Sequence, residues 1–190
     1  MNKKELRSTY LEKRISLTDA AYADRVHKIV QVFFNEIDLS DVNVIHVFLP
    51  MVKYKEPDTW LIINRIQKEK PAIRFSIPKV SNKSKALENF YFDSSDQLKE
   101  NKWGIQEPQF GDHTDPKDID LVIVPLLAID KRGHRVGYGK GYYDKLLSQC
   151  KPTCMKVGVT LFEPIEEIED VNEMDVPLDY CLTPASYIKF

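Results

Sequence analysis

The chain has 190 residues, of which 43% are hydrophobic and 29% charged, and its formal net charge is −2. That length and balance fit one soluble globular domain and exclude a fibrous or disordered chain. A charge this close to neutral gives no general attraction to nucleic acid or anionic lipid, so any basic surface must be local. No run of about 18 apolar residues is present to cross a membrane.

Taken in chain order, residues 3–15 place Leu6, Tyr10, Leu11 and Ile15 at helical spacing among many charges. Thr18 reads as the N-cap of a second helix with an apolar stripe of Val26, Ile29, Val30 and Phe33. VNVIHVFLP (42–50) has strand length and is closed by Pro50, and 51–60 is a polar loop. The helix TWLIINRIQKEK follows, capped by Asp58 or Thr59. AIRFSIPKV (72–80) and LENFYFD (87–93) read as strands, and 94–119 as loop. DLVIVPLLAID (120–130) is apolar without alternation, which predicts a strand buried on both faces. A glycine-rich stretch then runs into a short helix, YYDKLLSQC, followed by strands at 155–161 and 179–184. Strands alternating with helices predict an α/β fold, a mostly parallel sheet with helices on both faces. Sites in such sheets lie beyond the carboxyl ends of the strands, so the loops at 51–57, 130–141 and after 161 are expected to converge.

The N-terminal MNKKELRSTYLEKR lacks the apolar core of a secretory signal. Cys150, Cys154 and Cys181 form no CxxC spacing. Both features point to a cytoplasmic protein with reduced thiols.

The glycine stretch is the strongest chemical signal. Gly137, Gly139 and Gly141 alternate within RVGYGKGYYDKLL (135–147). Bare backbone there lets amides converge before a helix, an arrangement that binds anions. Arg135, Lys140 and Lys145 add charge, and phosphate is the matching guest. The stretch fits neither GxxxxGK[ST] nor GxGxxG: His134 stands at the first glycine of the former and Tyr142 at the third of the latter. Asp144 is placed either to complement the helix dipole or to hold Mg²⁺ beside a polyphosphate. A second acid would come from Glu173, Asp175 or Asp179, among which the sequence does not choose. Lys3, Lys4 and Arg7 lie on the first helix, where Lys3 and Arg7 share a face, and form either a solvated basic face or a clamp on phosphate. Glu56, in a loop after a strand, is a surface acid or an acceptor for an amino-heterocycle. Trp103 is a core anchor or a stacking wall. The histidines have no metal spacing.

D-K-R-G-H-R-V-G-Y-G-K-G-Y-Y-D (130–144) resembles the signature of the 5-formyltetrahydrofolate cyclo-ligase family. KKELR (3–7), FLPMVKYKEP (48–57), WGIQEP (103–108), VPLLAID (124–130) and NEMDVPLD (172–179) match it in the same order along the chain. The resemblance implies a single domain over 1–190, with a three-layer α/β/α Rossmann-like fold similar to sugar-phosphate isomerases and CoA transferases. It implies an ATP- and Mg²⁺-dependent cyclisation of 5-formyltetrahydrofolate to 5,10-methenyltetrahydrofolate, with no nucleic-acid or membrane partner and a monomer as the expected state. By the same resemblance, ATP falls to Lys3, Lys4, Arg7, Arg135, Val136, Gly137, Tyr138, Gly139, Lys140, Gly141, Tyr142 and Tyr143. Folate falls to Leu49, Met51, Glu56, Trp103 and Tyr142. Mg²⁺ falls to Asp144 and Asp175, and catalysis to Arg135, Lys140 and Tyr142. One departure is Met174, where many members carry histidine. A phosphate-sensing module without chemistry and an RNA-gripping loop are the competing readings.

Overall fold

The structure is a computed structural model that describes residues 1–81, 85–101 and 104–190. Two helices lead, α1 (Lys3–Ile15) and α2 (Asp19–Glu36). They are followed by β1 (Val44–Val47), α3 (Trp60–Glu69), β2 (Arg74–Ser81), β3 (Ala86–Phe92), β4 (Leu98–Glu100) and β5 (Gln106–Pro108). β6 (Leu121–Pro125), β7 (Ala128–Ile129), β8 (Arg135–Val136) and α4 (Tyr142–Leu147) come next. The chain ends with β9 (Met155–Val159), β10 (Tyr180–Leu182) and β11 (Tyr187–Lys189).

Local sequence sets the helix starts. Asn2 and Glu5 form a reciprocal capping box on α1, and the Thr18 hydroxyl accepts from the Ala21 amide at the start of α2. At α3 the cap position is Thr59, but it is the Asp58 carboxylate that accepts from the Trp60 amide. The Thr59 hydroxyl is buried and donates to the Phe48 carbonyl instead.

Seven strands form one sheet among the described residues, in the order β11-β10-β9-β6-β1-β2-β3. The inner five are parallel, and β11 and β3 run antiparallel at the edges. One face takes Ile45, Val47, Leu121 and Ile123 and is covered by α2 and α3 through Val26, Ile29, Phe33, Ile62, Ile63 and Ile66. The other takes Val44, Val122 and Val124 under Leu146 and Leu147 of α4. The α/β architecture is as the sequence indicates, and alternate residues of β6 serve opposite faces, as its unbroken apolar run requires.

Several boundaries differ from expectation. The apolar run 120–130 is two strands, not one. Pro125 has no amide to extend a ladder and ends β6, after which β7 turns away to pair with β8. Of 42–50, only Val44–Val47 lies in the ladder. The loop 94–119 contains the β4–β5 hairpin, the chain adds the edge strand β11, and α4 stops at Leu147.

The carboxyl ends of β1, β6 and β9 lie side by side, because those strands are adjacent and parallel. The loops leaving them meet: the Tyr138 hydroxyl reaches Glu56, and the Lys131 amide donates to the Ile165 carbonyl. α1 docks over this edge by burying Leu6 and Tyr10 against Leu127, Ala128 and Val136.

Candidate active site

The turn that carries the glycine loop is built on Asp130. Its carboxylate is fully buried and accepts from the amides of Arg132, His134 and Ile168. This fixes the β7–β8 hairpin and presents residues 137–141 as the exit toward α4. Gly139 and Gly141 have φ of +83° and +65°, a region that side-chain-bearing residues rarely adopt. Gly137 has open space where a Cβ would stand.

α1 grips this loop from the side. Arg7 Nε donates to the Gly137 carbonyl at 2.9 Å, and its guanidinium lies against Gly139. Lys3 Nζ is paired with the Asp175 carboxylate. Lys4 is exposed and engages none of the described residues. Lys140 is exposed at the loop tip. Val136 is buried against α1, and its carbonyl accepts from the Leu127 amide.

Arg135 is 9% exposed. It donates from Nη1 to the Val176 carbonyl at 2.6 Å and from Nη2 to Asp144 Oδ1 at 2.8 Å. Burial lowers its pKa, and Asp144 and Asp175 raise it back, so both acids lie in its field. Asp144 Oδ1 also accepts from the Val176 amide, and Asp175 Oδ2 from the Asn172 amide at 2.7 Å. In each acid the second oxygen accepts no hydrogen bond from the described residues. Two carboxylates with one free oxygen each, beside a phosphate-type loop, are a donor set that suits Mg²⁺, which takes few protein ligands and completes its shell with phosphate and water. No group of three or more His, Cys, Asp or Glu side chains surrounds a metal position among the described residues.

The other half of the site is the loop after β1. Glu56 is 2% exposed. Its Oε2 accepts from the Met51 amide at 2.8 Å and its Oε1 from the Tyr138 hydroxyl at 2.8 Å, while its carbonyl accepts from the Tyr22 hydroxyl. Burial pushes the Glu56 carboxyl above its ordinary range, and the Met51 amide, Arg14 and the Tyr138 hydroxyl pull it down. Leu49 is buried in the core beneath this loop, and Met51 is half-buried. Trp103 lies outside the described residues.

The tyrosine that touches Glu56 is therefore Tyr138, and not Tyr142, which is half-buried at the start of α4. Tyr143 packs edge-on against His46, with ring centroids 5.8 Å apart, and its hydroxyl is buried without a partner among the described residues. Burial holds the Tyr138 and Tyr143 phenols well above their usual range, so both keep their protons, and Tyr138 donates its own to Glu56. Arg14 and Tyr22 are site residues that the sequence reading missed. Arg14 stands seven residues after Arg7, the same face two turns on, and that spacing is the signal that would have found it.

Residues 1–184 match the model of the 5-formyltetrahydrofolate cyclo-ligase family. A probable 5-formyltetrahydrofolate cyclo-ligase of Schizosaccharomyces pombe is 34% identical over 112 residues, 52% of this chain and 55% of that protein. The 5-formyltetrahydrofolate cyclo-ligase of Mycoplasma genitalium is 38% identical over 38% of this chain and 45% of its own. The aligned stretches thus span about half the length of these two relatives. The mouse 5-formyltetrahydrofolate cyclo-ligase is 34% identical over 158 residues, 75% of each chain. In three dimensions, the 5,10-methenyltetrahydrofolate synthetase of Aquifex aeolicus superposes with a TM-score of 0.82 at 29% identity, over 100% of this chain and 93% of its own. A synthetase of the same name from Mycoplasma pneumoniae gives 0.76 at 23% identity and speaks for the fold alone.

Proposed function

The chain belongs to the 5-formyltetrahydrofolate cyclo-ligase family, and on that premise we propose that it converts 5-formyltetrahydrofolate and ATP to 5,10-methenyltetrahydrofolate, ADP and phosphate. Residues 1–190 act as one cyclo-ligase domain, a cytoplasmic monomer with two small-molecule substrates. The observation that carries this reading is the contact between the two loops. Tyr138 of the glycine loop donates to Glu56, so a triphosphate on one loop and a heterocycle on the other would lie side by side.

The chemistry needs that adjacency. A formamide oxygen is a weak nucleophile, and its carbon is a poor electrophile until the oxygen is phosphorylated. In the proposed sequence the formyl oxygen attacks the γ-phosphorus and the bond to the ADP oxygen breaks. N10 then adds to the activated carbon, the carbon–oxygen bond breaks to release phosphate, and N10 loses its proton. The protein's contribution is positioning and charge stabilisation. The 137–141 backbone receives the phosphates, Lys140 supplies charge at the loop tip, and Arg7 holds the loop's shape through the Gly137 carbonyl. Arg135 orients Asp144. Lys3 is released from Asp175 to meet phosphate. Asp144 and Asp175 would hold Mg²⁺, which when bound supplies charge neutralisation to the phosphate oxygens. Glu56, with Leu49 and Met51 beside it, receives the folate ring system, and Tyr142 stands where the glycine loop runs into α4.

The test is spectroscopic. Mixing the protein with ATP, Mg²⁺ and 5-formyltetrahydrofolate is expected to give the absorbance of methenyltetrahydrofolate, dependent on ATP. ATP consumption that 5-formyltetrahydrofolate does not change would overturn the reading.

A further inference from the structure

Arg14 is 2% exposed, on the α1 face that also buries Leu6 and Tyr10. A buried guanidinium ordinarily faces a carboxylate directly, since removing a charge from water is costly unless it is paired. Arg14 has no ion pair among the described residues. Its Nη2 donates to the Tyr138 hydroxyl, its guanidinium carbon lies 5.7 Å from the centroid of that ring, and its Nε is buried without a partner among the described residues. The Tyr138 hydroxyl in turn donates to Glu56 Oε1. A buried cation and a buried anion are thus joined through one phenol, two hydrogen bonds apart.

The groups facing Glu56 come from four elements. α1 contributes Arg14, α2 the Tyr22 hydroxyl, the glycine loop Tyr138 and α4 Tyr143. Asp58 follows on the same loop. Of these, Arg14 alone is a cation. The interposed phenol has a chemical consequence. An arginine set directly on the carboxylate would engage both oxygens in a fork and leave little for a ligand. Tyr138 takes one lone pair of Oε1 and the Met51 amide one of Oε2, which leaves a lone pair on each oxygen as acceptor.

We propose that Arg14 is a positioning residue for the folate half of the site: acting through the Tyr138 hydroxyl, it holds the Glu56 carboxylate anionic and oriented as an acceptor. This rests on the reading of Glu56 as the folate-binding carboxylate. The same bond ties the phosphate loop to the folate loop, so the residue that shapes one ligand's site sets the charge of the other's.

The test has two arms, each run on wild type, Arg14→Met, Arg14→Lys and Tyr138→Phe. The first is a ¹³C-carboxyl NMR titration of Glu56 in the ligand-free protein, its signal assigned by loss in Glu56→Gln. The second is calorimetric binding of 5-formyltetrahydrofolate without ATP, from about pH 5.5 to about pH 8. Arg14→Met is expected to raise the Glu56 titration midpoint by about one unit, which is about a tenfold shift in its ionisation. A carboxyl whose pKa rises is protonated at higher pH, so affinity should fall toward the acid end, by up to about tenfold, and recover toward the alkaline end. Arg14→Lys should restore both readouts. Tyr138→Phe, which keeps the cation and cuts the relay, should shift the midpoint in the same direction by a comparable amount. An unmoved Glu56 titration, or an affinity loss equal at every pH, overturns the role of Arg14 and leaves it a packing residue. Wild-type protein that binds no 5-formyltetrahydrofolate overturns the functional reading itself, whatever Arg14 does to Glu56.

Discussion

Glu56 and Lys140 occupy opposite extremes of the site, one closed inside the molecule and the other free at a loop tip. A carboxylate as enclosed as Glu56 loses hydration, which pushes its pKa up, and the donors around it pull it part of the way back. Replacing it with glutamine keeps the shape and removes the charge. Glu56→Gln is expected to weaken 5-formyltetrahydrofolate binding by about 1.5–3 kcal/mol, the worth of a hydrogen bond to a charged group. ATP affinity, measured by calorimetry in the same buffer, should be nearly unchanged, and the reverse pattern would move Glu56 out of the folate site. Lys140 is exposed and has no side-chain partner among the described residues. Lys140→Ala should therefore leave the thermal midpoint alone and cut kcat/KM for ATP by about tenfold to a hundredfold, a charged contact's worth. Binary folate affinity should not change, and an equal effect on both substrates would count against a phosphate role.

The glycine loop is where an element, and not a residue, carries the argument. Its glycines do different jobs, and the sequence made them look alike. At Gly139 the left-handed φ and the approach of Arg7 Nη2 to within 2.9 Å of a built Cβ both oppose a side chain. Gly139→Ala should cost about 1–2 kcal/mol of stability in denaturant melts from the backbone strain alone, and it should raise KM for ATP by displacing Arg7. At Gly137 a Cβ meets nothing and φ is not positive. Gly137→Ala should leave the melt unchanged and still raise KM for ATP, because its methyl would stand in space kept open for phosphate. Stability and KM moving together in both variants would mean that the loop is a hinge without a ligand role. The parts of the site that were legible in sequence share this local character. Spacing alone placed Lys3 and Arg7 on one face and the three glycines in one loop. Contacts between distant segments were not legible. Nothing in FLPMVKYKEP shows that Glu56 will be closed over by Tyr138, or that Arg14 will be buried, because those facts arise only when adjacent parallel strands bring three loops to one edge. The short strands were missed for the same reason. β11 and the β4–β5 hairpin have three residues per strand, too few for a period to declare itself, and are fixed by the partners they pair with.

For the molecule as a whole, acid sensitivity follows from what the sheet buries beneath α4. His46 is 0% exposed on β1, hydrogen-bonded through Nε2 to Asn89 Oδ1, with Nδ1 unpartnered among the described residues and Tyr143 edge-on above it. Asn89 Oδ1 can only accept, so Nε2 carries the ring proton and Nδ1 is the bare lone pair of a neutral imidazole. Burial lowers the pKa to about 4 from 6.5, the Asn89 bond offsetting a part of that. The sign is then fixed. The unfolded chain takes up a proton on this histidine as pH falls through about 6.5, whereas the folded protein resists until about 4. The stability that the neutral ring contributes is present in full above the unfolded value and is lost on the way down. By pH 5 the loss from this one group should be on the order of 2 kcal/mol. Urea midpoints at pH 7 and pH 5 measure it, and His46→Gln, which keeps a donor for Asn89 and cannot titrate, separates it from the carboxylates. The variant should be less stable than wild type at pH 7 and should lose much less between the two pH values. Equal losses in the two proteins would overturn the assignment of the acid sensitivity to His46. In the expected case it resides in the sheet under α4, and mild acid should loosen α4 and the glycine loop ahead of it before the α2–α3 face gives way.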